Sequence, residues 1–124
     1  MSERVAIVGS RYPSQPSAEY DALLEAVQRY VDALPLDTIV ISGDAYGVDK
    51  KALNCATARG MITVSVPAHG ALWRRLGKRA GHARSQVVVD ISHRVVAFMF
   101  GETPGTRATI EYAREMGKPL QVRG

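Results

Sequence analysis

Apolar residues along this chain fall into two alternating patterns. Short, nearly continuous runs such as Val5-Ala6-Ile7-Val8 and Ile39-Val40-Ile41 alternate with longer stretches in which apolar residues recur at helical spacing. The continuous runs predict strands over residues 4–8, 38–41, 61–66 and 95–100, with a final edge strand over 119–122. The first helical stretch carries Tyr20, Leu23, Leu24, Val27, Val31 and Leu34 on one face. Ser17 is its expected N-cap, Glu19 and Asp21 sit favourably in its first turn, and Pro35 stops it. A second helix is expected over 48–59, where Ala52, Cys55 and Ala56 form a small-residue face and Gly60 ends the helix. Residues 67–77, which include Trp73, read as irregular. A third helix is expected over 78–92, with Val87, Val88 and Ile91 apolar. A last helix opens at Pro104 or Gly105 and closes at Gly117.

Strand and helix alternate throughout, and the strands lack polar alternation. Both features predict a parallel sheet covered by helices on its two faces. With right-handed crossovers this becomes a Rossmann-like, doubly wound α/β sheet of about five strands. Ligands of such sheets bind beyond the carboxyl ends of the strands, where the strand order reverses. The loops after strands one, two and four are therefore expected to meet at one rim.

Composition narrows the picture modestly. The 124 residues suit a single domain (1–124) with one core, and 46% apolar with 23% charged residues is ordinary for a globular protein. The single cysteine, Cys55, excludes an internal disulfide and fits a reducing cytoplasm. No apolar run approaches the roughly 18 residues of a membrane span, and the start of the chain carries no signal-peptide pattern. The net charge of +4 favours an anionic partner, weakly.

The chemistry concentrates at three strand-to-loop junctions. In the first, Gly9 allows a sharp exit from the strand, Ser10 offers a hydroxyl and an N–H, and Arg11 suits bidentate pairing with phosphate. The second, Ser42-Gly43-Asp44-Ala45-Tyr46-Gly47-Val48-Asp49, runs from a strand into a helix start. It has neither the dinucleotide fingerprint nor a P-loop. Lys50 and Lys51 lie in the first helical turn, which the helix dipole disfavours unless an anion binds there. The bland alternative is that Asp49 caps the helix and both lysines face water. The third junction places Pro104, Gly105 and Thr106 at a helix start, with Thr109 one turn on; here plain capping by Thr103 or Thr106 is the alternative.

Arg74, Arg75, Lys78, Arg79, His82 and Arg84 form a basic segment. Such a run is usually a solvated face, with one arginine rather than all six reaching the ligand rim. His69, His82 and His93 have no metal-ligand spacing, and neither a metal nor a cofactor is expected. Trp73 and Tyr46 could stack on a base or simply pack.

The ordered set of GSR, SGDAYGVD, GKRAGHARS and PGT resembles the SLOG superfamily over nearly the whole chain. Its closest likeness is to the compact stand-alone YspA-like branch, with DprA (Smf) and the LOG phosphoribohydrolases as more distant relatives. The resemblance implies a Rossmann-like domain that binds nucleotides or derivatives such as AMP or ADP-ribose, and a homo-oligomer. It carries Gly9, Ser10 and Arg11 onto the first loop, Gly43, Gly47 and Asp49 onto the second, and Gly105-Thr106 onto the glycine-threonine pair. Arg84 matches the arginine used by LOG enzymes at the N-glycosidic centre. Three departures accompany it: Ala108 replaces the LOG glutamate, Asp44 replaces a usual glycine, and Ser85 a common asparagine.

Three functions follow as expectations. The first is binding, by sensing or sequestration, of a nucleotide-like ligand at Gly9, Ser10, Arg11, Ser42, Gly43, Asp44, Ala45, Gly47, Val48, Asp49, Arg79, Arg84, Pro104, Gly105, Thr106 and Thr109. The second is hydrolysis of a nucleotide N-glycosidic bond, which needs a carboxylate near the anomeric carbon. Asp44 and Arg84 are then the catalytic candidates, and Asp49 and Glu102 are the other acids in suitable loops. The third is single-stranded nucleic-acid binding, which a basic groove with stacking aromatics would support.

Overall fold

A computed structural model describes residues 2–15, 17–67, 71–77, 79–101 and 103–124. Its strands are β1 (Arg4–Gly9), β2 (Ile39–Ser42), β3 (Thr63–Ser65), β4 (Arg94–Phe98) and β5 (Leu120–Arg123). The helices are α1 (Ala18–Asp32), α2 (Val48–Ala58), α3 (Ala71–Leu76), α4 (Arg79–Asp90) and α5 (Pro104–Glu115). The strands form one parallel sheet in the order β3-β2-β1-β4-β5. This is the Rossmann-like architecture expected from the alternating pattern.

Period-two alternation along β1 divides the core. Val5 and Ile7 point to one face, where Tyr20, Val27 and Val31 of α1 and Val48, Ala52 and Ala56 of α2 cover them. Ala6 and Val8 point to the other, under Val88 and Val89 of α4 and Ile110 and Ala113 of α5. Each fully buried valine contributes roughly 1.5–3 kcal/mol, so both layers are secured by many comparable terms. Ser17 caps α1, its hydroxyl accepting from the Tyr20 N–H at 3.1 Å.

The chain departs from the expected pattern around residues 67–77. Residues 71–76 form the six-residue helix α3, separated from α4 at Gly77. Six residues are too few to display a helical period, so the pattern alone reads as irregular. The expected helix start at Lys78 lies outside the described residues.

Strand order sets the location of the site. From β1 the chain passes to β2 and β3 on one side, then returns to β4 on the other. The connections after β1 and β4 therefore leave toward opposite faces of the sheet. A crevice opens between them at the carboxyl edge, as at other switch points.

Candidate functional site

A cleft of about 380 Å³ occupies that crevice. From the first junction Val8, Gly9 and Arg11 line it, from the second Gly43, Ala45 and Asp49, and from the third Thr103, Pro104, Gly105, Thr106 and Thr109. The three junctions singled out in the sequence thus share one cavity. Helix α4 supplies the remaining wall through Gly81, His82, Arg84, Ser85 and Val88. Positions 81, 84, 85 and 88 are three, four and seven residues apart, which is one face of a helix. Once Arg84 faces the rim, the helical period brings Gly81 and Val88 there with it, two residues whose types carry no chemical signal of their own.

The other predicted site residues shape the frame. Ser10 is buried, and its hydroxyl oxygen accepts from the Phe100 N–H at 2.7 Å, tying the β1 exit to the β4 exit. Its carbonyl accepts from the Tyr20 hydroxyl at 2.6 Å. Burial of that phenol pushes its pKa up to about 12. Ser42 donates its hydroxyl proton to the Ile7 carbonyl and ties β2 to β1. Val48 is a core residue. Gly47 pairs with Arg11 in an isolated antiparallel bridge, reinforced by Tyr12 N–H donating to the Tyr46 carbonyl at 2.7 Å. Loops one and two are therefore tied together through their backbones. Arg79 is exposed and does not line the cleft, because the face of α4 that carries Arg84 turns it outward. Arg74 and Arg75 are likewise exposed, as a solvated charge run should be. Glu102, Lys78 and His69 lie outside the described residues, as does the side chain of Trp73.

The electrostatics centre on Asp44, Asp49 and Arg84. The Arg84 guanidinium is buried, with Nη1 3.2 Å from Oδ1 of Asp44. Asp44 is thus committed to an ion pair and is not among the residues lining the cleft. Asp49 lines it, is 6% exposed, and its Oδ1 makes no hydrogen bond. Burial pushes its pKa up to about 6, against the opposing pull of the Arg84 guanidinium. Gly43 fits between these groups: a Cβ there would sit 2.6 Å from Arg84 Nη1 and 2.7 Å from Asp49 Oδ2.

Helix α5 brings the positive end of its dipole to the opposite side. Its N-cap, Thr103, makes no side-chain capping bond, and Pro104 occupies the first turn. The first backbone N–H groups of a helix have no intrahelical partner, so they suit an anion. The Thr109 hydroxyl bonds back to the Gly105 carbonyl at 3.1 Å.

Asp49 gives a stability prediction of definite sign. Its folded pKa of about 6 exceeds the ordinary 3.8, so the folded state takes up a proton between these values while the unfolded chain does not. The resulting penalty is absent below about pH 4, grows to pH 6, and then stays at roughly 2–3 kcal/mol. Asp49→Asn is accordingly expected to stabilise the protein by about 1–2 kcal/mol at pH 8 and by far less at pH 4. Urea unfolding at both pH values checks this; equal effects at the two would contradict it.

Among the described residues no helix is long and apolar enough to cross a membrane, and no group of three or more His, Cys, Asp or Glu could hold a metal. The family model of DNA recombination-mediator protein A matches residues 1–74. No curated protein matches the sequence. The fold is similar to that of DNA processing protein A (DprA) from Streptococcus pneumoniae, at 22% identity and a TM-score of 0.79, over 98% of this chain and 50% of that one. It is also similar to the molybdenum cofactor carrier protein of Chlamydomonas reinhardtii, at 18% identity and a TM-score of 0.69, over 98% of this chain and 76% of that one. The chain thus spans about half the length of the first of these proteins. The likeness to the SLOG superfamily is borne out, and the match across β1, α1, β2, α2 and β3 shows that this chain belongs to the DNA recombination-mediator protein A family.

Proposed function

We propose that the cleft binds a nucleotide or nucleotide-derived phosphorylated sugar, such as AMP or ADP-ribose, for sensing or sequestration. The observation that carries this reading is the meeting of an uncapped helix start, Arg11, Arg84 and an unpaired Asp49 oxygen around one cavity. Its volume of about 380 Å³ is in the range of small-molecule sites. In this reading the phosphate sits against Gly105 and Thr106 with Arg11 as counter-charge, and the sugar lies over Gly43. The molybdenum cofactor carrier shares the fold, which supports a binding role on this scaffold.

Two further readings have an observation behind each. The family assignment favours binding of single-stranded DNA, with exposed Arg74, Arg75 and Arg79 as the contacting charges. N-glycosidic hydrolysis is favoured by the buried carboxylate in the cleft; its place there makes Asp49, more than Asp44, the acid to test beside Arg84.

A thermal-shift panel of AMP, NAD, ADP-ribose, cyclic nucleotides and short oligonucleotides separates these readings. A ligand at a hundred times its Kd should add about 2.7 kcal/mol of stability, a rise of several degrees for a chain of this size. We expect a small nucleotide to give that rise, with no free base found by mass spectrometry after incubation. Stabilisation by oligonucleotides alone, collapsing steeply with salt, would replace this reading with the DNA one. Light scattering on the same samples tests the homo-oligomer that the superfamily likeness implies.

A further inference from the structure

The floor of the cleft carries an acceptor, one oxygen of a carboxylate, that makes no hydrogen bond among the described residues. Oδ1 of Asp49 is sequestered and without a hydrogen-bond partner, although the residue is 94% buried and lines the cleft. A buried carboxylate oxygen without a partner is costly, so a site that retains one is suited to a ligand that brings a donor. Three features specify that donor. An ionised carboxylate only accepts hydrogen bonds, and it repels phosphate, which excludes the phosphate itself from this position. Gly43 adds no side chain to this wall and lets the Asp49 carboxylate and the Arg84 guanidinium close against the backbone, where a Cβ would press on Asp49 Oδ2 and Arg84 Nη1. The anion-binding end of α5 stands at another part of the same wall. In a nucleotide the sugar lies between phosphate and base, and its hydroxyls are the donors at that distance.

We propose that Asp49 accepts a hydrogen bond from a ribose hydroxyl, reached by a turn about its χ2, so that the cleft selects ribonucleotides over deoxyribonucleotides. This rests on the nucleotide-binding reading and makes it specific: Asp49 is the specificity-determining residue, beside Gly43 and Arg84. Sites built to bond a hydroxyl reject analogues that lack it, by up to about 10⁴-fold, because the acceptor is left unpaired. A single hydroxyl at a partly open cleft should give at least about 30-fold.

Isothermal titration with AMP, 2′-deoxy-AMP and 3′-deoxy-AMP tests the proposal on the wild-type chain, Asp49→Asn and Asp49→Ala, with folding checked by circular dichroism. The wild type should bind AMP at least about 30-fold more tightly than one of the two deoxy analogues. Asp49→Asn keeps the shape and a neutral acceptor and should narrow the gap to below about ten-fold, since a neutral hydrogen bond is roughly half as strong. Asp49→Ala should abolish the gap. Equal wild-type affinity for all three nucleotides overturns the proposal and leaves nucleotide binding standing. A gap that persists in Asp49→Ala, or in Asp49→Asn should the alanine variant fail to fold, also overturns it. Failure of every nucleotide to bind the wild type sinks the proposal together with the reading beneath it.

Discussion

Arg84→Ala is expected to lose about 3 kcal/mol of stability at pH 8 and to weaken binding of a phosphorylated nucleotide by a hundredfold or more. The guanidinium is buried, ion-paired to Asp44 at 3.2 Å, and is the cation that holds the raised pKa of Asp49 in check. Removing one partner of such a pair leaves buried charge uncompensated, which costs about 3–5 kcal/mol when both groups are fully buried. Asp44 is partly exposed, with 26% of its side-chain area accessible, so the lower end applies. The pH dependence carries the diagnostic. Without Arg84 the pKa of Asp49 climbs further above 6, and the variant is most penalised where Asp49 is forced to ionise. Below pH 5 Asp49 is protonated in both proteins, and the deficit should shrink toward the loss of the Asp44 pair alone. Urea denaturation at pH 5 and pH 8 measures this directly. A deficit identical at the two pH values would mean that Arg84 and Asp49 do not interact appreciably.

Gly47→Ala is expected to cost at least about 4 kcal/mol, enough to leave much of the protein unfolded at 37 °C. Gly47 has a φ of +128°, a region that side-chain-bearing residues rarely adopt. A Cβ there would also lie 2.6 Å from the Tyr12 nitrogen and 2.8 Å from the Ser10 carbonyl oxygen, and would meet the Tyr20 hydroxyl. Two of these three are backbone atoms of the loop bound to Gly47, so they move only if the Arg11–Gly47 bridge opens. The Tyr12–Tyr46 hydrogen bond should go with it, seen as fast amide exchange at Tyr12 in whatever fraction stays folded. Gly105→Ala supplies the contrast: among the described residues nothing beyond its chain neighbours and its own helix backbone lies within 4 Å of a Cβ there, and its φ is not positive, so stability should change by less than about 0.5 kcal/mol. Equal destabilisation by the two substitutions would argue against backbone constraint at Gly47.

The two variants probe parts of the site that were unequally legible in the sequence. Loop glycines announce themselves, because a strand that ends in Gly9 or a helix that begins after Gly47 needs a backbone other residues adopt poorly. The roles of the acids did not announce themselves. Asp44 and Asp49 are five residues apart in one loop-and-helix start, and Asp44, as the departure from the superfamily pattern, is the more conspicuous. Burial decides between them. Asp49, on the second residue of α2, is carried under the loop and left with an unpaired oxygen, whereas Asp44 stays partly in solvent against Arg84. That outcome depends on α4 crossing from the far side of the sheet, forty residues along the chain. The same cause explains Arg79: charge and spacing made it a candidate, but the rotation of α4 that buries Val88 and Val89 turns it to water.

By itself the sequence determined the alternation of strands and helices, the parallel sheet, and the three loops that bear the chemistry. These follow from local periodicity and local backbone preference, which act over a few residues and are written in the order of the chain. Only the tertiary structure decided that β1 stands between β2 and β4, that the three loops and one face of α4 enclose a common cleft, and which carboxylate inside it lacks a partner. Strand order and burial arise from contacts between segments far apart in the chain, and no local pattern specifies what a side chain will meet once those segments pack.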